Sequence, residues 1–361
     1  MHFITNLAGN AGAERMLCRL LSVSKDDKIL VVSLMEVSAR NMELAANPRV
    51  EFVSLGVSSA VGMLLAPRKV AAIMRREKPA RVVCWMYHAM AVGSVAGKIA
   101  GGVSPVIWNV RQSLDDPSSM SFSTRFAVWV CRALSAMPAG VIYNSKRALI
   151  HHGDFGYRNR NAVVIPNGFF MPEPRKIVAK SPRVFGIAGR FHPQKDHDTF
   201  FKAAAIALSA RPDARFRAAG HGLDPQNAGV ASLVKSAGLA PDAVDLCGEI
   251  SGMGRFYESI DVLALSSRTE GFPNVIAEAM SHGKPVVTTD VGDAAAIVGP
   301  AGFVVPPADP RALAGAMIKA MDLPPEEYEA MCRQARARTE ASYGIDRIAH
   351  QFDDFVRSQP G

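Results

Sequence analysis

Residues 261–283 read DVLALSSRTEGFPNVIAEAMSHG. Asp261–Leu265 is a short apolar run with strand character, Gly271 and Pro273 set a turn, and the spacing over Asn274–Ser281 predicts a helix. Strand, loop and helix in that order make half of a βαβ unit, and the same alternation extends outward in both directions. Around this stretch the expected strands are Val184–Ala188, Arg215–Ala219, Val244–Leu246, Pro285–Thr288 and Phe303–Val305. The helices between them are expected over Thr199–Ser209, Asn227–Ala237 and Ala312–Ala320.

The first half repeats the pattern. Strands are expected at His2–Thr5, Ile29–Ser33, Val50–Ser54, Arg81–Trp85, Val106–Val110, Gly140–Tyr143 and Ala162–Ile165. Helical spacing runs over Ala13–Leu21, Val61–Arg76, Met90–Ala100 and Thr124–Ser135. Prolines 166, 172, 174 and 182, with Lys176 and Lys180, mark an interdomain linker. The fold class expected is therefore α/β, with two doubly wound, Rossmann-like parallel-sheet domains facing an interdomain cleft. Residues 1–170 form the first domain and 183–340 the second; 341–361 form a C-terminal helix that crosses back to the first.

Composition narrows the function classes. Hydrophobic residues make up 48% of the 361 and charged residues 20%, enough apolar material for two cores, which excludes wholesale disorder. Five scattered cysteines without a CxxC pair exclude a disulfide scaffold and a structural zinc site, and fit a reducing compartment. The opening MHFITNLAGNAGAERM has no signal-peptide pattern, and no apolar run reaches the roughly 18 residues a membrane span needs. The location expected is cytoplasmic. Charge is uneven: residues 1–175 carry 21 basic against 11 acidic side chains, the remainder 20 against 22. A basic first half suits an anionic partner, with peripheral contact at the cytoplasmic membrane face as one reading and a plain solvated surface as the other. Arg75, Arg76, Lys78 and Arg81, with Leu64 and Leu65, are candidates for such a face. No nucleic-acid motif accompanies the charge.

The chemistry-bearing residues gather at loops that follow strands. A helix start at the mouth of a parallel sheet offers free amides and the positive end of a dipole, which suits phosphate. Glu270 precedes that start and Glu278 lies one turn inside it; carboxylates there suit sugar hydroxyls better than phosphate. GIAGRFHPQK (186–195) follows the first strand of the second domain, where Arg190 and Lys195 can converge on one diphosphate. LAGNAGAE (7–14) is a glycine-containing turn whose backbone can approach a phosphate. Asp26–Asp27, Asp115–Asp116 and Asp353–Asp354 are adjacent pairs rather than a DxD loop for a divalent cation. His192 and His197 lack convincing metal-ligand spacing. His88 reads as a strand-end histidine, and Trp85, Trp108 and Trp129 as core or cleft walls.

Together these segments resemble the retaining glycosyltransferases of family 4, which have the GT-B fold. Glu270 and Glu278 match the family's E-x7-E motif, GIAGRFHPQKDHDTFFKAAA its Arg/Lys phosphate segment, and GNAGAERML its GGAE turn with Ala11 in place of the first glycine. YNSK (143–146), IPNGF (165–169), GHG (220–222) and LCGEI (246–250) match further, so the likeness runs from about residue 3 to 320. It implies that Glu278 binds the ribose hydroxyls and Glu270 the donor sugar. The amides of Phe272, Pro273, Asn274 and Val275, with Gly271, would meet the sugar and β-phosphate, proline contributing none. It further implies that Arg190 and Lys195 hold the diphosphate with Gly12 approaching it, and that the backbone near Ile250 meets the base.

The activity implied is metal-independent transfer, with retention of configuration, from a nucleotide sugar to a glycan or lipid-linked acceptor in cell-surface polysaccharide or glycolipid synthesis. The expected donor is a UDP-sugar, used as co-substrate with no cofactor. Many family members carry a histidine after an N-domain strand; here the position falls in VIWNVRQSL, on Arg111 or Gln112. The catalytic set expected is thus Glu270, Arg190, Lys195 and Arg111. An inactive nucleotide-sugar-binding protein and a nucleotide-sugar epimerase of the same fold are the alternatives.

Overall fold

The computed structural model describes residues 1–115, 120–158 and 161–360. The chain divides into two units, one of Met1–Gly168 together with the residues from Ile345 onward, the other of Phe169–Gly344. The proline-containing stretch expected as a linker is thus split at Gly168, and Phe169–Pro182 goes with the second unit. The last helix starts at Ile345 rather than 341.

In unit 1 the strands are β1 (His2–Ile4), β2 (Ile29–Ser33), β3 (Val50–Ser54), β4 (Val82–Trp85), β5 (Val106–Val110), β6 (Gly140–Tyr143) and β7 (Ala162–Val164). They form one parallel sheet in the order β3-β2-β1-β4-β5-β6-β7. Its helices are α1 (Gly12–Val23), α2 (Ala39–Ala45), α3 (Ala60–Glu77), α4 (Tyr87–Ile99), α5 (Phe122–Leu134) and α6 (Lys146–Asp154). Every residue of β2, β4, β5 and β6 is buried, as a sheet covered on both faces requires. Successive side chains alternate between those faces. Val82, Cys84 and Trp108 join the core under α3, α4 and α5, whereas Val83, Trp85 and Ile107 join the core under α1 and the last helix.

Unit 2 holds β8 (Val184–Ala188), β9 (Arg215–Ala219), β10 (Val244–Gly248), β11 (Val262–Leu265), β12 (Val286–Thr289) and β13 (Gly302–Val305), all parallel in the order β10-β9-β8-β11-β12-β13. Its helices are α7 (His197–Ala210), α8 (Ala228–Ser236), α9 (Gly254–Ser259), α10 (Asn274–Ser281), α11 (Ala294–Val298), α12 (Pro310–Met321) and α13 (Pro325–Tyr343). The chain then returns to unit 1 as α14 (Ile345–Ser358), which packs on α1 and buries Ile345, Ile348 and Phe352.

The sequence pattern omits α2, α6, α9 and α11, which have seven, nine, six and five residues. Three of them, α2, α9 and α11, fall short of two full turns, over which a 3.6-residue period is barely expressed. One surface assignment is corrected. Trp85 and Trp108 are fully buried, but Trp129 is 58% exposed on α5 and belongs to no core. His88 lies in the first turn of α4 rather than at the end of a strand, and burial lowers its pKa.

Candidate functional site

Strand order reverses between β8 and β11, which are hydrogen-bonded neighbours although strands β9 and β10 separate them in sequence. Ligands of open parallel sheets bind beyond the strand ends at such a reversal. The loops leaving the C-terminal ends of these two strands are those that carry Arg190 and Lys195 on one side and Glu270 on the other.

The first loop turns through Gly189 and a single 3₁₀ turn over Pro193–Lys195, and ends at Asp196, which caps α7 with a left-handed backbone at φ 48°. Asp196 accepts from the Thr199 hydroxyl at 2.8 Å. The second loop is tied to it repeatedly. Ser266 Oγ donates to the Lys195 and Asp196 carbonyls at 2.8 and 2.9 Å, the Arg268 amide donates to the Gln194 carbonyl at 2.8 Å, and Arg268 Nε pairs with Asp196 at 3.0 Å. Across this frame Lys195 Nζ reaches Glu270 Oε1 at 2.5 Å, and Ser267 Oγ donates to the same oxygen at 2.7 Å. Both bonds fall on Oε1, so Oε2 is the oxygen free of them.

Two glycines make this approach sterically allowed. Gly220, at φ 149°, lies so close to the first loop that a Cβ would come within 2.0 Å of the Gly189 carbonyl oxygen. Gly292, at φ 55°, lies under the second loop, where a Cβ would come within 2.3 Å of the Glu270 carbonyl oxygen and 2.4 Å of that of Gly271. The next amide, of Asp293, donates to the Gly271 carbonyl at 3.1 Å.

Helix α10 begins just beyond. Pro273 occupies its N-cap and offers no side-chain acceptor, and the Ile276 amide donates to the Pro273 carbonyl at 3.0 Å, so the positive end of the helix dipole opens here without a side-chain cap. The Phe272 ring turns inward against Phe169 and Tyr343, at centroid distances of 6.2 and 5.6 Å, so this residue presents only its backbone. Glu278 lies one turn inside α10, where its Oε2 accepts from the Tyr257 hydroxyl at 3.0 Å. Arg190 is exposed on the first loop and forms no ion pair among the described residues. Desolvation, then the charges of Arg190 and Lys195, lower the pKa of His192, so both cations act on one point of the loop. His197 is buried against Phe191 and Phe201, with its pKa lowered to about 4, first by desolvation and then by Lys195. Ile250 follows β10, half-buried against the apolar cluster that includes Phe272 and Ile276.

Unit 1 holds the other two candidates. Gly12 opens α1, and the preceding turn is held by Glu14, whose carboxylate accepts from the Ala11 amide at 2.7 Å and the Gly9 amide at 3.2 Å. Arg111 follows β5 and is buried with no carboxylate partner among the described residues. Its Nε donates to Asn109 at 2.7 Å, its Nη1 to Asn167 at 3.0 Å and to the Ile165 carbonyl at 3.1 Å, and the guanidinium lies 5.4 Å from the Trp85 ring centroid. Its Nη2 is buried without a partner among the described residues, and desolvation lowers its pKa to about 9. Among the acidic pairs, Asp116 lies outside the described residues, and Asp115 is taken up by Arg147 and His151 at 2.5 and 3.1 Å.

Residues 182–322 match the family described as glycosyl transferases group 1. The match covers 141 of the 361 residues. The matched segment contains Arg190, Lys195, Ile250, the turn from Glu270 to Val275, and Glu278; Gly12 and Arg111 lie outside it. A lipopolysaccharide core biosynthesis mannosyltransferase, LpsB of Rhizobium meliloti, is 31% identical over 202 residues, which are 52% of this chain and 57% of that protein. The chain thus spans little more than half the length of this curated relative. Among solved structures, the Anabaena protein HepE in complex with UDP aligns with a TM-score of 0.82 at 22% identity over 99% of both chains. Sucrose-phosphate synthase of Thermosynechococcus elongatus aligns at 0.76 and 19% identity over 99% of this chain and 98% of that one. The likeness to these structures establishes the fold, which is GT-B.

Within the matched segment, the sequence pattern passes over Ser267, Tyr257 and the Arg268–Asp196 pair. Ser267 carries a readable signal, a hydroxyl three residues before Glu270 in a turn. Tyr257 carries none, since α9 is too short to show a period and its partner is 21 residues away.

Proposed function

We propose that the protein is a glycosyltransferase that moves a sugar from a nucleoside diphosphate, UDP in the first instance, to a glycan or lipid-linked acceptor, with retention of configuration and without a metal. The observation that carries this reading is the Lys195–Glu270 contact at the strand-order reversal, beside the N-terminus of α10. An ammonium has three donors, so Lys195 can hold Glu270 and a phosphate oxygen together. Lys195, the exposed Arg190 and the positive end of the α10 dipole offset the charge that grows on a departing diphosphate, the role a metal takes in other enzymes. Glu270 Oε2 is left to accept from a donor-sugar hydroxyl, and Glu278, oriented by Tyr257, from the ribose. In this reading attack comes on the face the diphosphate leaves, with the departing phosphate taking the acceptor proton.

Two relatives support the class. LpsB is by its name a mannosyltransferase of lipopolysaccharide core synthesis, and HepE has been solved with UDP and with UDP-glucose. An acceptor carried on an anionic lipid fits the basic first half, and no helix among the described residues is long and apolar enough to cross a membrane. In this reading Arg111 serves the acceptor side.

Calorimetric titration with UDP and GDP, each with and without EDTA, followed by turnover with the corresponding hexose donors, tests the proposal. UDP should bind equally in EDTA and Lys195→Ala should weaken it. A preference for GDP would overturn the choice of nucleotide, and loss of turnover in EDTA the metal-free mechanism. Binding of neither nucleotide would overturn the whole reading, while binding without transfer would make the chain an inactive binding protein.

A further inference from the structure

We propose that α5 is a membrane-docking helix, which seats the outer face of α3, α4 and α5 on an anionic lipid bilayer. The inference rests on the lipid-linked-acceptor part of the reading above. Helix α5 reads FSTRFAVWVCRAL, and it turns its small residues to the sheet: Ala127, Val128 and Cys131 are buried. Its large ones face outward. Phe122, Phe126 and Trp129 are 78%, 59% and 58% exposed. Spaced at i, i+4 and i+7, they form one stripe along the helix. Arg125 and Arg132, two turns apart, lie along one flank of it, both exposed.

The layer extends beyond α5, since α4 packs between α3 and α5. Leu64 on α3 is 80% exposed, and Val61, Val95 and Ile99 are exposed with it. Together α3, α4 and α5 carry seven Lys or Arg residues and a single acidic one, Glu77, which is already paired with Lys28 and Arg76. On the opposite face of the sheet, α14 carries Asp346, Asp353 and Asp354 beside Arg347 and Arg357, so the excess belongs to one face. Aromatic rings flanked by arginines match the boundary between acyl chains and anionic headgroups, where rings enter the apolar zone and guanidinium groups stay with phosphate. A second copy of the chain fits poorly, because a two-fold contact would set this basic face against itself. Docking here would hold the C-terminal ends of the unit 1 strands near the headgroups, within reach of a lipid-linked acceptor.

The tryptophans supply the test. Trp85 and Trp108 are fully buried, so a change in emission on adding vesicles reports Trp129. The full chain is titrated with vesicles of phosphatidylcholine alone and of phosphatidylcholine with phosphatidylglycerol. The expected result is a blue shift and co-sedimentation with the anionic vesicles only, reversed by added salt and quenched by brominated acyl chains. The Phe122→Ser/Phe126→Ser double variant should lose about tenfold or more in vesicle partitioning, with UDP affinity and thermal stability within error of the parent. Absence of vesicle binding at low ionic strength overturns the inference, as does undiminished binding by the double variant. A stable dimer that hides Trp129 and is dissolved by the same variant overturns it in favour of self-association. UDP titration on the same samples reads the donor-site reading separately, so a failure there leaves the vesicle result to stand or fall alone.

Discussion

Replacing Gly292 with alanine tests the site through geometry alone, because residue 292 has no side chain to offer a ligand. Its φ of 55° costs an L-residue about 1–2 kcal/mol. The new methyl would lie 2.3 Å from the Glu270 carbonyl oxygen and 2.4 Å from that of Gly271, and tolerable contacts begin near 3.0 Å. The loop would therefore retreat by about 0.7 Å or more, on the scale at which misplacement near 1 Å costs about a hundredfold in rate. Retreat also lengthens the Asp293 N–H bond to Gly271, itself worth about 1 kcal/mol. The sum is a loss of about 2–3 kcal/mol in stability, or roughly 4–12 °C in Tm for a unit of this size. Gly238→Ala is the control. It lies in the same unit at φ 76° with nothing within 4 Å of a Cβ, so it carries the backbone cost without the collision. Thermal unfolding should show both variants destabilised, Gly292→Ala the more. Titration and turnover with the donor should then separate them, with the control unchanged and Gly292→Ala about a hundredfold slower. If Gly292→Ala turns over donor at the parental rate, the Glu270–Gly271 loop does not position the reacting sugar.

Three further outcomes are expected. Glu278→Ala should weaken UDP by about 1.5–3 kcal/mol, the worth of a hydrogen bond to a charged group, and Tyr257→Phe by about 0.5–1.5 kcal/mol, because the carboxylate remains but loses its orienting donor; calorimetry reads both. Burial lowers the pKa of His197 from 6.5 to about 4, so the unfolded chain takes up a proton through this window that the folded chain refuses. The stability due to neutral His197 is complete above about pH 6.5 and is lost as pH falls. His197→Leu should gain about 2 kcal/mol on the parent between pH 7 and pH 5 in urea unfolding, and equal slopes would refute the buried neutral ring. Arg111→Lys keeps a charge but loses the fork that bonds Asn109 and Asn167. Turnover should fall tenfold or more with UDP affinity within about twofold, and a matching loss of UDP affinity would move Arg111 to the donor side.

What the chain reveals of itself depends on which physical constraint a position obeys. The central strands are covered on two faces, so most of them stand in the sequence as apolar runs, and six of the thirteen keep their expected limits, among them Ile29–Ser33 and Val106–Val110. The turn at Gly271–Pro273 is readable because glycine and proline interrupt the apolar strand before it and the helix after it. The Lys195–Glu270 contact is not, since its members are 75 residues apart and only the adjacency of β8 and β11 joins them. Helix α5 shows the limit most clearly. Apolar residues occupy much of its circumference, and the larger share of them would be assigned to the core by hydrophobicity alone. The sheet takes the other side because rings of its neighbours already fill the space there: Tyr87, Trp108 and Tyr157 lie in the core that Ala127, Val128 and Cys131 join, and the Tyr157 hydroxyl donates to the Val128 carbonyl at 2.9 Å. A Cβ on Gly93 of α4 would lie 2.3 Å from Cys84 Sγ, and the neighbouring α5 presents alanine, valine and cysteine inward. Steric room, set by residues on another helix and strand, decides which face of α5 is buried, and it is for this reason that three large aromatic side chains remain outside.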